Sequence, residues 1–273
     1  MDLDETLHLL ARAPASPVDV AELALHLARD EYPDLDVEAY LSEVNALAHE
    51  AGRFVRGDFD ARVTGLCRYL FHDMGFRGNV KEYYDPRNSY FNQVLERRTG
   101  IPITLSAVMM AVGRRVGLDV VGVGLPGHFI VKIIEDSREA LVDPFHGGRR
   151  ITPHDCGILV QQVTGQEFEA TPDALEPLPL GLMAQRLLGN LKGIYLQRED
   201  FVRAVRVMER ARQLNPRDSI QCRDLGVCYL RLEKPGKAID LLAAYLTAFP
   251  EADDAKNVGE LLKQARRLVA GMN

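Results

Sequence analysis

Apolar residues in the first hundred positions recur at intervals of three and four, the spacing that lines one face of a helix. Val37, Tyr40, Leu41, Val44, Leu47 and Ala48 form one such stripe, with Asp36 placed to cap the helix start. Val20, Leu23, Ala24 and Leu27 form an earlier stripe after Asp19, and Pro33 is its expected stop. Val63, Leu66, Cys67, Leu70 and Phe71 predict a third helix ending near Gly75. A polar loop over 76–86 follows. Asn88 or Ser89 is then expected to cap a short helix carrying Tyr90, Phe91, Val94 and Leu95.

The period changes at Gly100. Pro102 suits the first residue of a helix, where a missing N–H costs nothing, and Leu105, Val108, Met109, Val112 and Val116 give that helix an apolar face ending at Gly117. Val120 to Val123, Phe129 to Ile134 and Ala140 to Val142 are short β-rich runs separated by Gly, Pro and charged turns. Thr171-Pro172 and Pro177-Leu178-Pro179 form a Pro-bearing connector and an expected domain boundary.

Beyond the connector lies an internal repeat. Leu188, Leu191, Tyr195, Ala204, Met208, Ala211 and Pro216 align with Cys222, Leu225, Tyr229, Ala238, Leu242, Tyr245 and Pro250 at the period of ~34 residues that marks tetratricopeptide helix-turn-helix units. Gly226 takes the small position of that pattern, and Lys192 misses it in the first repeat. The expected class is therefore α+β. A first domain is expected over 1–178, with a helical subregion 1–99 and a core helix plus small antiparallel sheet over 100–178. An all-α segment over 184–273 would hold repeats 185–218 and 219–252 and a capping helix between Ala252 and Met272. Two repeats are fewer than the ~3 a free-standing stack usually needs, so docking of the array on the N-terminal part is expected.

Charge adds a second asymmetry. The net charge of -6 resolves into 16 Lys and Arg against 11 Asp and Glu from Ala184 on, leaving 17 against 28 before it. An acidic N-terminal part is a poor match for a phosphate backbone, so nucleic acid is not an expected partner. No stretch approaches the ~18 apolar residues of a membrane span. The opening Met1-Asp2-Leu3-Asp4-Glu5 is acidic where a secretory signal is basic, so a cytoplasmic protein is expected. Cys67, Cys156, Cys222 and Cys228 are too scattered for a disulfide framework or a CxxC zinc site.

Candidate chemistry concentrates in Gly100-Ile101-Pro102-Ile103-Thr104-Leu105-Ser106, Pro126-Gly127-His128-Phe129 and Val142-Asp143-Pro144-Phe145. A His opening one strand and an Asp closing the next can meet in an antiparallel pair, the carboxylate fixing the imidazole as in a nucleophile–His–Asp triad. A nucleophile at the start of a facing helix would complete the set, and the helix beginning at Pro102 is the place for it.

Together with Phe76-Arg77-Gly78-Asn79 and Asp85-Pro86-Arg87-Asn88-Ser89, these strings resemble the transglutaminase-like superfamily of papain-type folds. Within it they are similar to the bacterial SirB-type family, a transglutaminase-like core followed by tetratricopeptide repeats. The resemblance places His128 at the triad histidine, Asp143 at the triad acid and Pro102 at the nucleophilic cysteine. Proline has no nucleophilic side chain, so a protein that binds a protein or peptide without turnover is expected. The alternative is a hydrolase or acyltransferase using Ser106 or Thr104 with His128 and Asp143.

Cys67 and Cys156 are weaker stand-ins for the nucleophile. His128, Asp143, His146, His154 and Asp155 cluster within 28 residues, but they lack the i, i+4 spacing of a helical zinc motif. A metal-dependent hydrolase is accordingly the third reading, and no metal or cofactor is expected. Gly122 to Gly127 reads as a β-turn, because no helix and no Lys-Ser/Thr follow it. Arg203, Arg206 and Arg210 read as a solvated helix face. By the tetratricopeptide resemblance, Arg186, Gln197, Arg223 and Arg231 are candidates to line a groove and bind an acidic peptide.

Overall fold

The computed structural model describes residues 3–13 and 18–271. Met1 and Asp2 of the acidic opening, and Met272 of the expected capping helix, lie outside them. Two compact units divide the chain, Met1–Leu187 and Leu188–Asn273.

In the first unit, helices α1 (Leu3–Arg12), α2 (Val20–Ala28), α3 (Val37–Ala51) and α4 (Phe59–Cys67) come first. Aspartates start three of them. Asp19 accepts from the N–H groups of Ala21 and Glu22 at 2.8 and 3.1 Å, Asp36 from Ala39 at 3.1 Å and Asp58 from Ala61 at 2.9 Å. α4 continues through a π-helical segment, Arg68–Asp73, and Met74 N–H reaches back five residues to the Tyr69 carbonyl at 2.8 Å.

β1 (Arg77–Gly78) pairs in parallel with β2 (Thr99–Gly100), enclosing α5 (Phe91–Arg97). The expected cap at Asn88 or Ser89 is corrected here: Tyr90 holds the N-cap position and makes no side-chain capping bond. Asn88 is drawn instead into the loop before it, its amide donating to the carbonyls of Glu82 and Tyr83 at 2.7 and 3.2 Å and accepting from Asn79 at 3.0 Å. Ser89 Oγ is buried without a partner.

α6 (Pro102–Arg115) begins at its proline and gives way to Gly117 at φ +78°. It leads into an antiparallel meander of β3 (Asp119–Leu125), β4 (His128–Glu135), β5 (Arg138–Asp143) and β6 (Arg149–Ile151), followed by α7 (Pro153–Thr164). Between the sheet and α7, Val123, Leu125, Ile130, Leu141, Ile151, Cys156, Leu159 and Val160 form one buried cluster. Both faces of β4 are covered, so its first six residues are all buried. The three-residue β6, with two arginines, was too short to read by alternation. α7 did carry a readable signal, the Thr152–Asp155 capping box.

α8 (Leu180–Gln197) belongs to the first unit up to Leu187. The second unit continues with α9 (Phe201–Leu214), α10 (Ser219–Arg231), α11 (Pro235–Ala248) and α12 (Ala255–Ala270). A Cβ on Gly226 would lie 2.8 Å from the Leu242 side chain, which is why the repeat needs a small residue there. At the equivalent place in the first repeat, Lys192 pairs with Asp224 at 2.6 Å and donates to Gln221 at 2.9 Å. Among the described residues no helix is long and apolar enough to cross a membrane.

Candidate functional site

The β3–β4 turn is Pro126-Gly127, the pairing preferred where the third turn residue needs positive φ. Gly127 sits at φ +67°, and a Cβ there would come within 2.7 Å of the Val163 side chain, so any other residue would be strained in this turn. This fixes His128 at the head of β4, opposite Leu125. The register Val131↔Val142 carries β5 back alongside, so that its last residue, Asp143, comes next to His128. His128 Nε2 lies 3.1 Å from Asp143 Oδ2; the histidine is 4% exposed and the aspartate not at all.

A third group joins them. The chain turns tightly after Asp143, whose Oδ1 accepts from the N–H groups of Phe145 and His146 at 3.0 and 3.3 Å. That turn brings His146 Nδ1 to 2.7 Å from Asp143 Oδ2, with the His146 side chain 47% exposed. The two imidazoles stack at 5.7 Å between centroids, and Phe145 meets each ring edge-on. A Cβ on Gly78 would lie 2.6 Å from Phe145, so β1 approaches this cluster through a glycine. The Tyr83 ring stands 6.0 Å from Phe145 on the loop side.

Burial alone would raise the Asp143 pKa; hydrogen bonds from His128 and His146 and their charges outweigh it and hold the carboxyl below its ordinary value. The cluster can therefore present an ionised, oriented carboxylate shared by two imidazoles.

The remaining sequence candidates fall elsewhere. Thr104 Oγ1 accepts from Ile101 N–H at 3.1 Å and donates to the Asn88 carbonyl at 2.7 Å, a helix-start role that occupies the hydroxyl. Ser106 Oγ is buried and has no partner. Among the described residues no hydrogen bond joins Pro102, Thr104 or Ser106 to His128 or Asp143. Burial pushes the Cys67 thiol up to about 12; burial with the charges of Asp155 and Asp143 pushes Cys156 up to about 11. His154 is exposed on α7, and Asp155 is committed to the Thr152 N–H and hydroxyl at 2.8 and 2.7 Å.

The expected groove residues also separate. Arg186 does not line a repeat groove: its Nη2 donates to the carbonyls of Leu125 and His128 at 2.7 and 2.8 Å, and its guanidinium lies over Phe129 at 5.4 Å. Burial lowers its pKa, with Tyr83 opposing. Sequence reasoning missed this clamp on the histidine turn, because nothing local links positions 58 residues apart. Arg223 is paired with Asp224 and Asp254, both at 2.8 Å. Gln197 and Arg231 are exposed.

The family model of the transglutaminase-like superfamily matches residues 38–189, and a tetratricopeptide repeat family model matches residues 191–263. A UPF0162 protein of Xylella fastidiosa (strain Temecula1) is 35% identical over 264 residues, covering 93% of this chain and 89% of that protein. A UPF0162 protein of Vibrio cholerae is 27% identical over 205 residues, covering 74% of this chain and 73% of its own. F-box only protein 21 of Mus musculus is 29% identical over 153 residues, which are 53% of this chain and 23% of that protein. With a transglutaminase-like domain carrying the His128–Asp143 pair and tetratricopeptide helices after it, the chain belongs to the SirB-type UPF0162 family of bacteria.

Proposed function

We propose that this is a non-catalytic transglutaminase-like protein whose tetratricopeptide helices engage a protein or peptide partner. The observation that carries the reading is the lack, among the described residues, of any hydroxyl or thiol bonded to His128. By the resemblance Pro102, the first residue of α6, takes the place of the superfamily's cysteine, and Thr104 is already used in holding the helix start. Thiols raised to about 12 and about 11 are essentially unionised at neutral pH and are poor nucleophiles. Tetratricopeptide repeats in general mediate protein–protein contact, and the exposed Gln197 and Arg231 are available to a partner. Four free, buried cysteines suit a reducing cytoplasm.

The test is labelling of the folded chain with a fluorophosphonate and with iodoacetamide, alongside capture of peptides from a random library. Weak, His128-independent labelling and a retained peptide whose binding Arg231→Glu abolishes are the expected outcome. The rival hydrolase reading rests on the unpartnered Ser106 hydroxyl. Stoichiometric acylation of Ser106 that disappears in His128→Ala would establish it and end the binding-only reading.

A further inference from the structure

Asp143 is wholly buried, and among the described residues its ion-pair partners are the two histidines, with no Lys or Arg. A buried carboxylate needs a positive partner, and imidazole supplies one only when protonated. A metal ion would meet the same need. One ligating atom each from His128, Asp143 and His146 lies within 4.8 Å of the other two. The separations from Oδ2, 3.1 and 2.7 Å, are close to the edges of a coordination polyhedron with bonds of about 2.0–2.1 Å, which span roughly 3 Å.

The surroundings are those of a built site. The N–H groups of Phe145 and His146 hold Oδ1, which leaves Oδ2 directed between the rings. His128 is anchored in the sheet, while the half-exposed His146 leaves an entry path and free coordination positions. Two imidazoles and one carboxylate favour borderline first-row ions over magnesium or calcium, which take all-oxygen sets.

We propose that His128, Asp143 and His146 form a three-ligand site for a divalent transition-metal ion of the zinc class, with its remaining positions open toward solvent beside His146. When the rings are neutral, loading moves each ring proton to the other nitrogen, Nδ1 of His128 and Nε2 of His146, and leaves the proton count unchanged. The site stands independently of whether the pocket supports turnover, and it does not draw on His154 or Asp155.

Tag-free full-length protein, stripped with a chelator, is titrated with Co²⁺ and followed by visible absorption. Saturation at one equivalent, displacement by Zn²⁺ and indifference to Mg²⁺ are expected. His146→Ala, whose exposed side chain can be removed without unfolding the chain, should bind Co²⁺ at least tenfold more weakly with an unchanged circular dichroism spectrum. His128→Gln should abolish the band, and the His146 variant carries the test alone if that protein does not fold. No saturable band up to millimolar Co²⁺, or unchanged binding by His146→Ala, would overturn the assignment.

Discussion

Two buried carboxylates of the first unit are neutralised in opposite ways. Asp85 sits in the loop before α5 and faces two guanidiniums, Arg87 at 2.7 Å and Arg97 at 3.6 Å, cations that persist at every accessible pH. Asp143 closes β5 and, among the described residues, its ion-pair partners are two imidazoles, a group that carries charge only when protonated. The first arrangement is a fixed brace. The second leaves its counter-charge exchangeable, which is what a ligand or ion site requires and a brace does not.

Removing Asp143 should cost most. Asp143→Ala leaves two backbone N–H groups and a buried imidazole without their acceptor, and about 3–4 kcal/mol of stability should be lost. Thermal denaturation should show a midpoint lower by roughly 10 °C. A drop under ~2 °C would mean the cluster is held together by something other than this carboxylate.

On the Asp85 side, the loop is tied to α6 through the Thr104 hydroxyl. Thr104→Val keeps the shape but strands the Asn88 carbonyl and the Ile101 N–H, and urea denaturation should register a loss of about 1–2 kcal/mol. Because the hydroxyl has no catalytic part in this reading, any activity assigned to the protein should survive the change.

Asp85→Asn should cost least, about 1 kcal/mol, since Arg87 is half-exposed and its pairing is screened by water. Its signature is in the pH dependence. Burial would raise the Asp85 pKa, but the Arg87 hydrogen bonds and the charges of Arg87 and Arg97 outweigh it and lower the value. A group whose folded pKa is depressed contributes stability above its unfolded pKa of about 3.9 and loses it as pH falls through the lower folded value. Urea midpoints measured from pH 6 down to pH 3 should therefore fall less steeply below about pH 4 in the variant than in the parent. Parallel curves would show that Asp85 is not braced by the arginines.

Local patterns made most of the architecture legible. Helical stripes following Asp19 and Asp36 located α2 and α3, and the Pro-Gly turn and β-rich runs located the hairpin that carries His128. What stayed hidden depended on partners distant in sequence. The parallel pairing of Arg77–Gly78 with Thr99–Gly100 has too few residues to show a period. Asn88 looked like a cap because amides favour caps, and loop carbonyls won its amide instead. His146 did have a signal: an Asp followed two and three residues later by N–H groups free to bond its carboxylate, with Gly147 and Gly148 behind them. The sequence groups His146 with His154 and Asp155 as candidate ligands, and only the tight turn after Asp143 separates it from them, bringing its ring alone of the three to the carboxylate.

The Arg186 clamp has a consequence for the order of events during synthesis. The hairpin turn it fastens is complete once His128 has been made, but the guanidinium that bonds the Leu125 and His128 carbonyls is encoded 58 residues after that histidine. At about 5–20 residues per second, the nascent chain waits roughly 3–12 s between making the turn and making its fastener. A stalled chain that ends before residue 186 should thus display the β3–β4 hairpin with a turn that proteases reach, and only a chain long enough to carry Arg186 clear of the ribosome should close it.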